Sequence, residues 1–168
     1  LLGAARFTAG EPQEEFWRIA FWLRDILKFD FFFLEKSEFR TAIIEHLERL
    51  DTNWQQQLAR GGEAISSLIR SIRPTTANSV LRSFLEAYYI VGCGLELRPE
   101  LARDDPVAFK RFCAGTARQY LLQKRIRSVD ASSQLMYQPG LELARNRGII
   151  GVADGEAATR LAGEFIED

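Results

Sequence analysis

From Gln13 to about Leu27 the apolar positions recur at spacings of three and four. Phe16, Ile19, Ala20, Leu23, Ile26 and Leu27 then share one face of a helix. Trp17 and Phe21 widen that face and Trp22 lies beyond it. A helix this apolar is buried or lies at an interface. The period breaks at Phe29, Phe31, Phe32 and Phe33, a block bracketed by charges. Ser37 is predicted to cap a second helix, with Glu38 in its first turn. The stripe of that helix is Phe39, Ile43, His46 or Leu47, and Leu50.

Gly61-Gly62 interrupts the chain, and Ile65, Leu68, Ile69 and Ile72 make a short third stripe ended by Pro74. Pro74-Thr75-Thr76 opens a longer helix with Leu81, Phe84, Leu85, Tyr88 and Leu95 on one side, stopping before Pro99. Asp105 is predicted to cap the next helix and Pro106 to take its first position. Phe109, Phe112, Cys113, Tyr120 and Leu121 face its core side. Ser128 with Asp130 marks another start. Pro139-Gly140 then falls inside a pattern that runs on to Arg147. Proline in a helix interior costs about 3 kcal/mol, so a kink or a break is expected there. Gly148 has the form of a C-terminal cap. A last helix, capped by Asp154, would bury Leu161 and Phe165. No strand alternation or hairpin signal appears. The expected fold is all-α: one compact domain over residues 1–168, with about six to eight helices.

Composition adds limits. A chain of 168 residues can bury a real core, and 46% hydrophobic with 27% charged residues is ordinary for a globular domain. The net charge of −1 supplies no global field for nucleic acid, which is not an expected partner. Eight of the twelve phenylalanines lie in the first 39 residues, so the aromatic surface there needs a burial site. Basic residues are 18 Arg and 4 Lys, and arginine suits bidentate contact with carboxylates and phosphates. Cys93 and Cys113 are too few for a disulfide framework, lack metal-ligand spacing, and sit in apolar helical patterns. A reducing compartment fits them. No apolar run approaches the ~20 residues that span a bilayer, and no signal peptide is visible. The chain starts at Leu1 and its sole methionine is Met136, which suggests a piece of a longer polypeptide.

Three constellations are candidates for chemistry. His46 and Asp51 match H-x-x-x-x-D, the catalytic signature of glycerolipid acyltransferases, in which a histidine deprotonates a hydroxyl and an aspartate orients it. Here both lie in a helical pattern, about 140° apart at ~100° per residue. The glycine-bearing companion blocks of those enzymes are absent, so His46 reads as structural. The second constellation is Arg118, Lys124, Arg125 and Arg127, gathered at a predicted helix end. Cations there complement the helix dipole; they would equally meet phosphates of a substrate, of an anionic lipid headgroup or of nucleic acid. The third is the block Phe29, Phe31, Phe32 and Phe33. It reads as a buried turn between the first two helices. Its flanking Lys28 and Lys36 also suit a membrane interface or an interdomain contact. No phosphate-gripping loop, zinc site or Ser–His–acid set is recognisable, and no cofactor or metal is expected.

Four blocks carry a resemblance. L-R-D-I-L-K-F-D-F-F-F-L-E-K-S-E-F-R resembles the L-L-K-F-E-F-F-F-type segment of bacterial glycerol-3-phosphate 1-O-acyltransferases of the PlsB type. L-R-S-F-L-E-A-Y-Y-I-V at 81–91, R-Q-Y-L-L-Q-K-R-I-R-S-V-D at 118–130 and L-A-R-N-R-G-I-I at 143–150 follow in the same order. Together they look like the region C-terminal to that family's acyltransferase domain. The resemblance implies a non-catalytic helical accessory domain. Its parent would move an acyl chain from acyl-CoA or acyl carrier protein to the sn-1 hydroxyl of glycerol 3-phosphate, at the cytoplasmic face of the membrane. The implied partners are the catalytic domain of the same polypeptide, the membrane surface and the acyl donor. No catalytic residue of the family transfers to a position here. Residues 136–140, Met-Tyr-Gln-Pro-Gly, depart from the pattern. A different class, the ligand-binding or dimerisation domain of a transcription regulator, also fits an all-α, aromatic-lined chain of this length.

Overall fold

The computed structural model describes residues 12–61, 66–67, 70 and 75–150. Most of the short third stripe and all of the expected last helix lie outside those residues. Among the described residues there are seven α-helices and no strand, in agreement with the all-α expectation. They are α1 (Pro12–Ile26), α2 (Lys36–Leu50), α3 (Trp54–Ala59), α4 (Thr75–Leu97), α5 (Pro99–Asp104), α6 (Pro106–Leu122) and α7 (Tyr137–Asn146). The chain groups into two compact units, Leu1–Thr75 and Thr76–Asp168.

The first unit is held by aromatic contacts. Phe16 of α1 meets Trp54 of α3 with ring centroids 6.0 Å apart, and Phe21 meets Phe39 of α2 at 6.1 Å. Arg40 lies over the Trp17 ring at 4.7 Å. Ile26, Leu27, Trp54 and Leu58 are buried. Helix α2 begins earlier than expected: the Phe39 amide already bonds the Glu35 carbonyl at 2.8 Å, so Glu35 occupies the cap and Ser37 lies inside the helix. Helix α3 was not anticipated. Its signal is the i, i+4 pair Trp54 and Leu58, prefaced by Asp51, whose carboxylate accepts from the Asn53 amide at 2.7 Å.

The second unit is built around α4. Residues 87–95, apart from half-buried Tyr89, are buried around the whole helix rather than along one stripe. One side meets α6, where Cys113 Sγ lies 3.9 Å from the Ile90 carbonyl. Another meets α7 through Tyr88 and Val91, against Gly140. Helix α5, also unread in the sequence, buries Ala102. Helix α6 starts as expected: the Asp105 carboxylate accepts from the Ala108 amide at 3.0 Å and Pro106 takes the first position. Phe109 and Cys113 are fully buried, whereas Phe112, Tyr120 and Leu121 are half-buried.

The Pro139 expectation resolves simply. Helix α7 starts at Tyr137, so Pro139 is its third residue. The first amides of a helix have no intrahelical partner, and the missing N–H costs little there. The break falls upstream, in the 3-10 turns Asp130–Ser132 and Gln134–Met136. Tyr137, fully buried, donates from its hydroxyl to the Ala131 carbonyl at 2.9 Å. Gly140 lets α7 pack closely: an added Cβ would lie 3.2 Å from both Tyr88 and Val91, tighter than ordinary contact. Gly148, at φ +73, ends α7 as expected, with the Ile149 amide bonding the Ala144 carbonyl at 2.9 Å.

Candidate functional sites: an aromatic tip and a basic strap

The segment between α1 and α2 is a shaped loop. The amides of Asp30 and Phe31 both bond the Leu27 carbonyl at 3.0 Å, which turns the chain off α1. Arg24 reaches across and donates to the Leu34 carbonyl from Nε at 3.1 Å and Nη2 at 2.8 Å. Asp25 pairs with Arg24 at 3.0 Å and with Lys36 at 3.4 Å, closing the base of the loop. The four phenylalanines divide. Phe31 packs on Phe33 at 6.3 Å, and Phe33 on Phe39 at 5.7 Å, so these two serve as the joint between the helices. Phe32 is 99% exposed, and Leu34 and Phe29 are exposed beside it. The expectation of a wholly buried turn is corrected: the loop folds two rings inward and presents Phe32 outward, since one pleat of extended chain cannot turn neighbouring side chains to the same side.

The second candidate is the strap that follows α6. Helix α6 ends in a reversal in which the Arg125 amide bonds the Tyr120 carbonyl at 2.9 Å and the Lys124 amide bonds the Leu121 carbonyl at 3.0 Å. Lys124 sits at φ 59, in the left-handed region where Gly148 sits in the equivalent cap of α7. A non-glycine residue there costs about 1–2 kcal/mol. Ile126 is buried and pins the strap to the core. The Glu86 carboxylate of α4 accepts from two successive amides, Arg127 at 3.0 Å and Ser128 at 2.7 Å, and the Ser83 and Ser128 hydroxyls lie 2.7 Å apart. Arg125 lies over the Tyr120 ring at 4.0 Å and donates from Nη2 to the Tyr89 hydroxyl at 2.8 Å. Lys124, Arg125 and Arg127 are exposed together. Arg118 is exposed on α6 itself, within electrostatic reach of the Tyr137 phenol. The clamp by Glu86 and Ser83 was not read from the sequence. Both lie in the 81–91 block, and a Ser and a Glu three residues apart in a mostly apolar run were the available signal.

The remaining candidates sort by environment. His46 is exposed, off the partly buried positions Ile43 and Leu47 of α2, and Asp51 spends its carboxylate on the Asn53 amide. The pair is not held as a base and its orienter. Cys93 and Cys113 are free and buried, as expected. Burial pushes the Cys93 thiol up, and pushes Cys113 up to about 12. Burial likewise raises Tyr137. These groups favour folding while protonated, so their contribution is intact below a thiol's ordinary value and is lost as pH rises towards the folded value. Urea unfolding is expected to show this: each thiol takes away up to about 1.4 kcal/mol per pH unit above pH ~9. A midpoint unchanged between pH 8 and pH ~10.5 would contradict the burial of both thiols. No group of three potential metal ligands exists among the described residues. No helix among them is long and apolar enough to cross a membrane.

Helices, tip and strap define an all-α region whose distinctive polar and aromatic groups lie on its surface. Residues 4–153 match the family described as the glycerol-3-phosphate acyltransferase C-terminal region, and the chain belongs to that family. Proteins named putative acyltransferase plsB1 from Mycobacterium tuberculosis and Mycobacterium bovis are 27% identical to it over 146 residues. That alignment covers 87% of this chain and 23% of theirs, so the chain spans about a quarter of the length of these relatives. No solved structure matches it. The family match favours the acyltransferase reading, and nothing supports the transcription-regulator alternative.

Proposed function

We propose that this chain acts as the non-catalytic C-terminal helical domain of a glycerol-3-phosphate 1-O-acyltransferase. The parent enzyme transfers an acyl group from acyl-CoA or acyl carrier protein to glycerol 3-phosphate, on the cytoplasmic side of the membrane, as an early step of phospholipid synthesis. The family match over residues 4–153 carries this reading. The environment of His46 supports the non-catalytic part of it.

The domain's contact with the catalytic part of the same polypeptide runs through the Phe32 tip. A shaped loop that presents one fully exposed aromatic ring resembles the anchors that dominate protein interfaces. Its rim carries Lys28 and Lys36 together with Asp30 and Glu35. Mixed charge suits a protein surface, whereas an anionic bilayer would attract the lysines and repel the acids. Phe32→Ser is expected to weaken binding between this chain and the catalytic part by tenfold or more, a loss of roughly 1.4–2 kcal/mol. Co-sedimentation of this chain with anionic vesicles that Phe32→Ser abolishes would instead assign the tip to the membrane. Phe31 is left intact in this test because it packs on Phe33. The functional reading is tested by acyl transfer: this chain alone should transfer nothing from palmitoyl-CoA to glycerol 3-phosphate, and transfer lost on His46→Ala would overturn it.

A further inference from the structure

The strap after α6 has the makings of a ligand site. We propose that Arg125, with Lys124 and Arg127 beside it, binds a phosphate group.

Three features carry this. The first is preorganisation. An exposed arginine ordinarily loses much of its rotamer entropy on binding an anion. Arg125 is already held, with its plane over Tyr120 at 4.0 Å and one Nη2–H on the Tyr89 hydroxyl at 2.8 Å. A guanidinium has five N–H donors in a planar fork, and most of these remain for a bidentate phosphate contact. The second is the backbone. Residues 124–128 are fixed by the α6 reversal, by buried Ile126 and by the Glu86 and Ser83 clamp. Three cations within four residues are thereby displayed from a rigid support. The third is charge. The Glu86 carboxylate accepts from the strap's amides rather than from its side chains. Lys124, Arg125 and Arg127 form no ion pair with a carboxylate among the described residues, whereas Arg18, Arg49, Arg98 and Arg103 each do. The C-terminal dipole of α6 opposes an anion here, so a millimolar rather than micromolar site is expected.

The shared chemistry is a phosphate, free in solution or on a lipid headgroup. The test follows the backbone amide resonances of Ile126 and Ser128 in the 168-residue chain, which every variant retains, during titration with sodium phosphate, against sodium chloride at equal ionic strength. A second arm measures retention on phosphatidylcholine vesicles with and without phosphatidic acid. Saturable binding of phosphate over chloride is expected, weakened at least fivefold in Arg125→Lys, which keeps the charge and loses the fork. Lys124→Gly relieves the left-handed residue, so it should unfold no more easily than the parent chain and yet bind phosphate more weakly. Glu86→Gln, which loosens the strap, should weaken binding without removing a cation. Binding of free phosphate without vesicle retention assigns a soluble ligand, and Arg125-dependent retention by phosphatidic acid assigns a headgroup. A phosphate response no larger than chloride's, or equal affinity in Arg125→Lys, overturns the proposal. Neither arm measures acyl transfer, so the functional reading is tested apart from it.

Discussion

Phe109→Ala should cost the second unit about 3–5 kcal/mol, as expected for truncating a fully buried phenylalanine. Phe109 has no exposed surface and lies on α6 against α4 at Gly94. A domain of this size has about 5–15 kcal/mol of stability in total, so the variant should sit near its unfolding transition. Far-ultraviolet circular dichroism across a urea series measures it directly. A loss below about 1 kcal/mol would mean that α4 and α6 are not packed as described.

Gly94→Val should be nearly as damaging, for the opposite reason. The glycine is mid-helix, where alanine alone would gain about 1 kcal/mol from helix propensity. An added Cβ, however, would lie 2.8 Å from Cys113 Sγ and 2.9 Å from Phe109 Cζ. Both neighbours are fully buried and have no room to retreat. Overpacking of this kind costs about 1–3 kcal/mol, and the further methyls of valine add to it. The expected net loss is about 2–3 kcal/mol in the same urea experiment. Gly115 provides the contrast: it is exposed on α6 with nothing within 4 Å of an added Cβ. Gly115→Ala should therefore stabilise by about 0.5–1 kcal/mol. If both glycines respond alike, packing at Gly94 is not what decides its effect.

These two positions also show where sequence reading succeeds and where it stops. Periodicity finds Phe109 and Cys113 because α6 buries one stripe and exposes the rest. It says less about α4, where Ala87, Ile90, Val91, Cys93 and Leu95 are buried on every side. A surrounded helix has no polar face to set the period. The local rules for helix ends read well: Asp105 with Pro106, and Gly148, act within a few residues and need no tertiary partner. Pro139 was read less well because its meaning depends on where α7 starts, and Tyr137 is placed by a hydrogen bond to Ala131. The short helices α3 and α5 have a turn or two each, too little length for a periodic signal. For the candidate sites, residue type was legible and exposure was not. The aromatic block announces burial, yet Phe32 faces outward while Phe33 packs inward. The basic run was visible at 118–127, but the grip of Tyr89 and Glu86 on it comes from pairings some forty residues apart in sequence.

The proposal to be tested is that the chain is the non-catalytic part of an acyltransferase and does no acyl transfer itself. The most direct measurement adds palmitoyl-CoA and glycerol 3-phosphate to the purified chain, and in parallel to the proposed parent polypeptide. Lysophosphatidic acid is then counted with and without His46→Ala. The account predicts product from the intact enzyme at the same rate in both His46 forms, and none from this chain. Product from the chain alone that disappears in His46→Ala would contradict it.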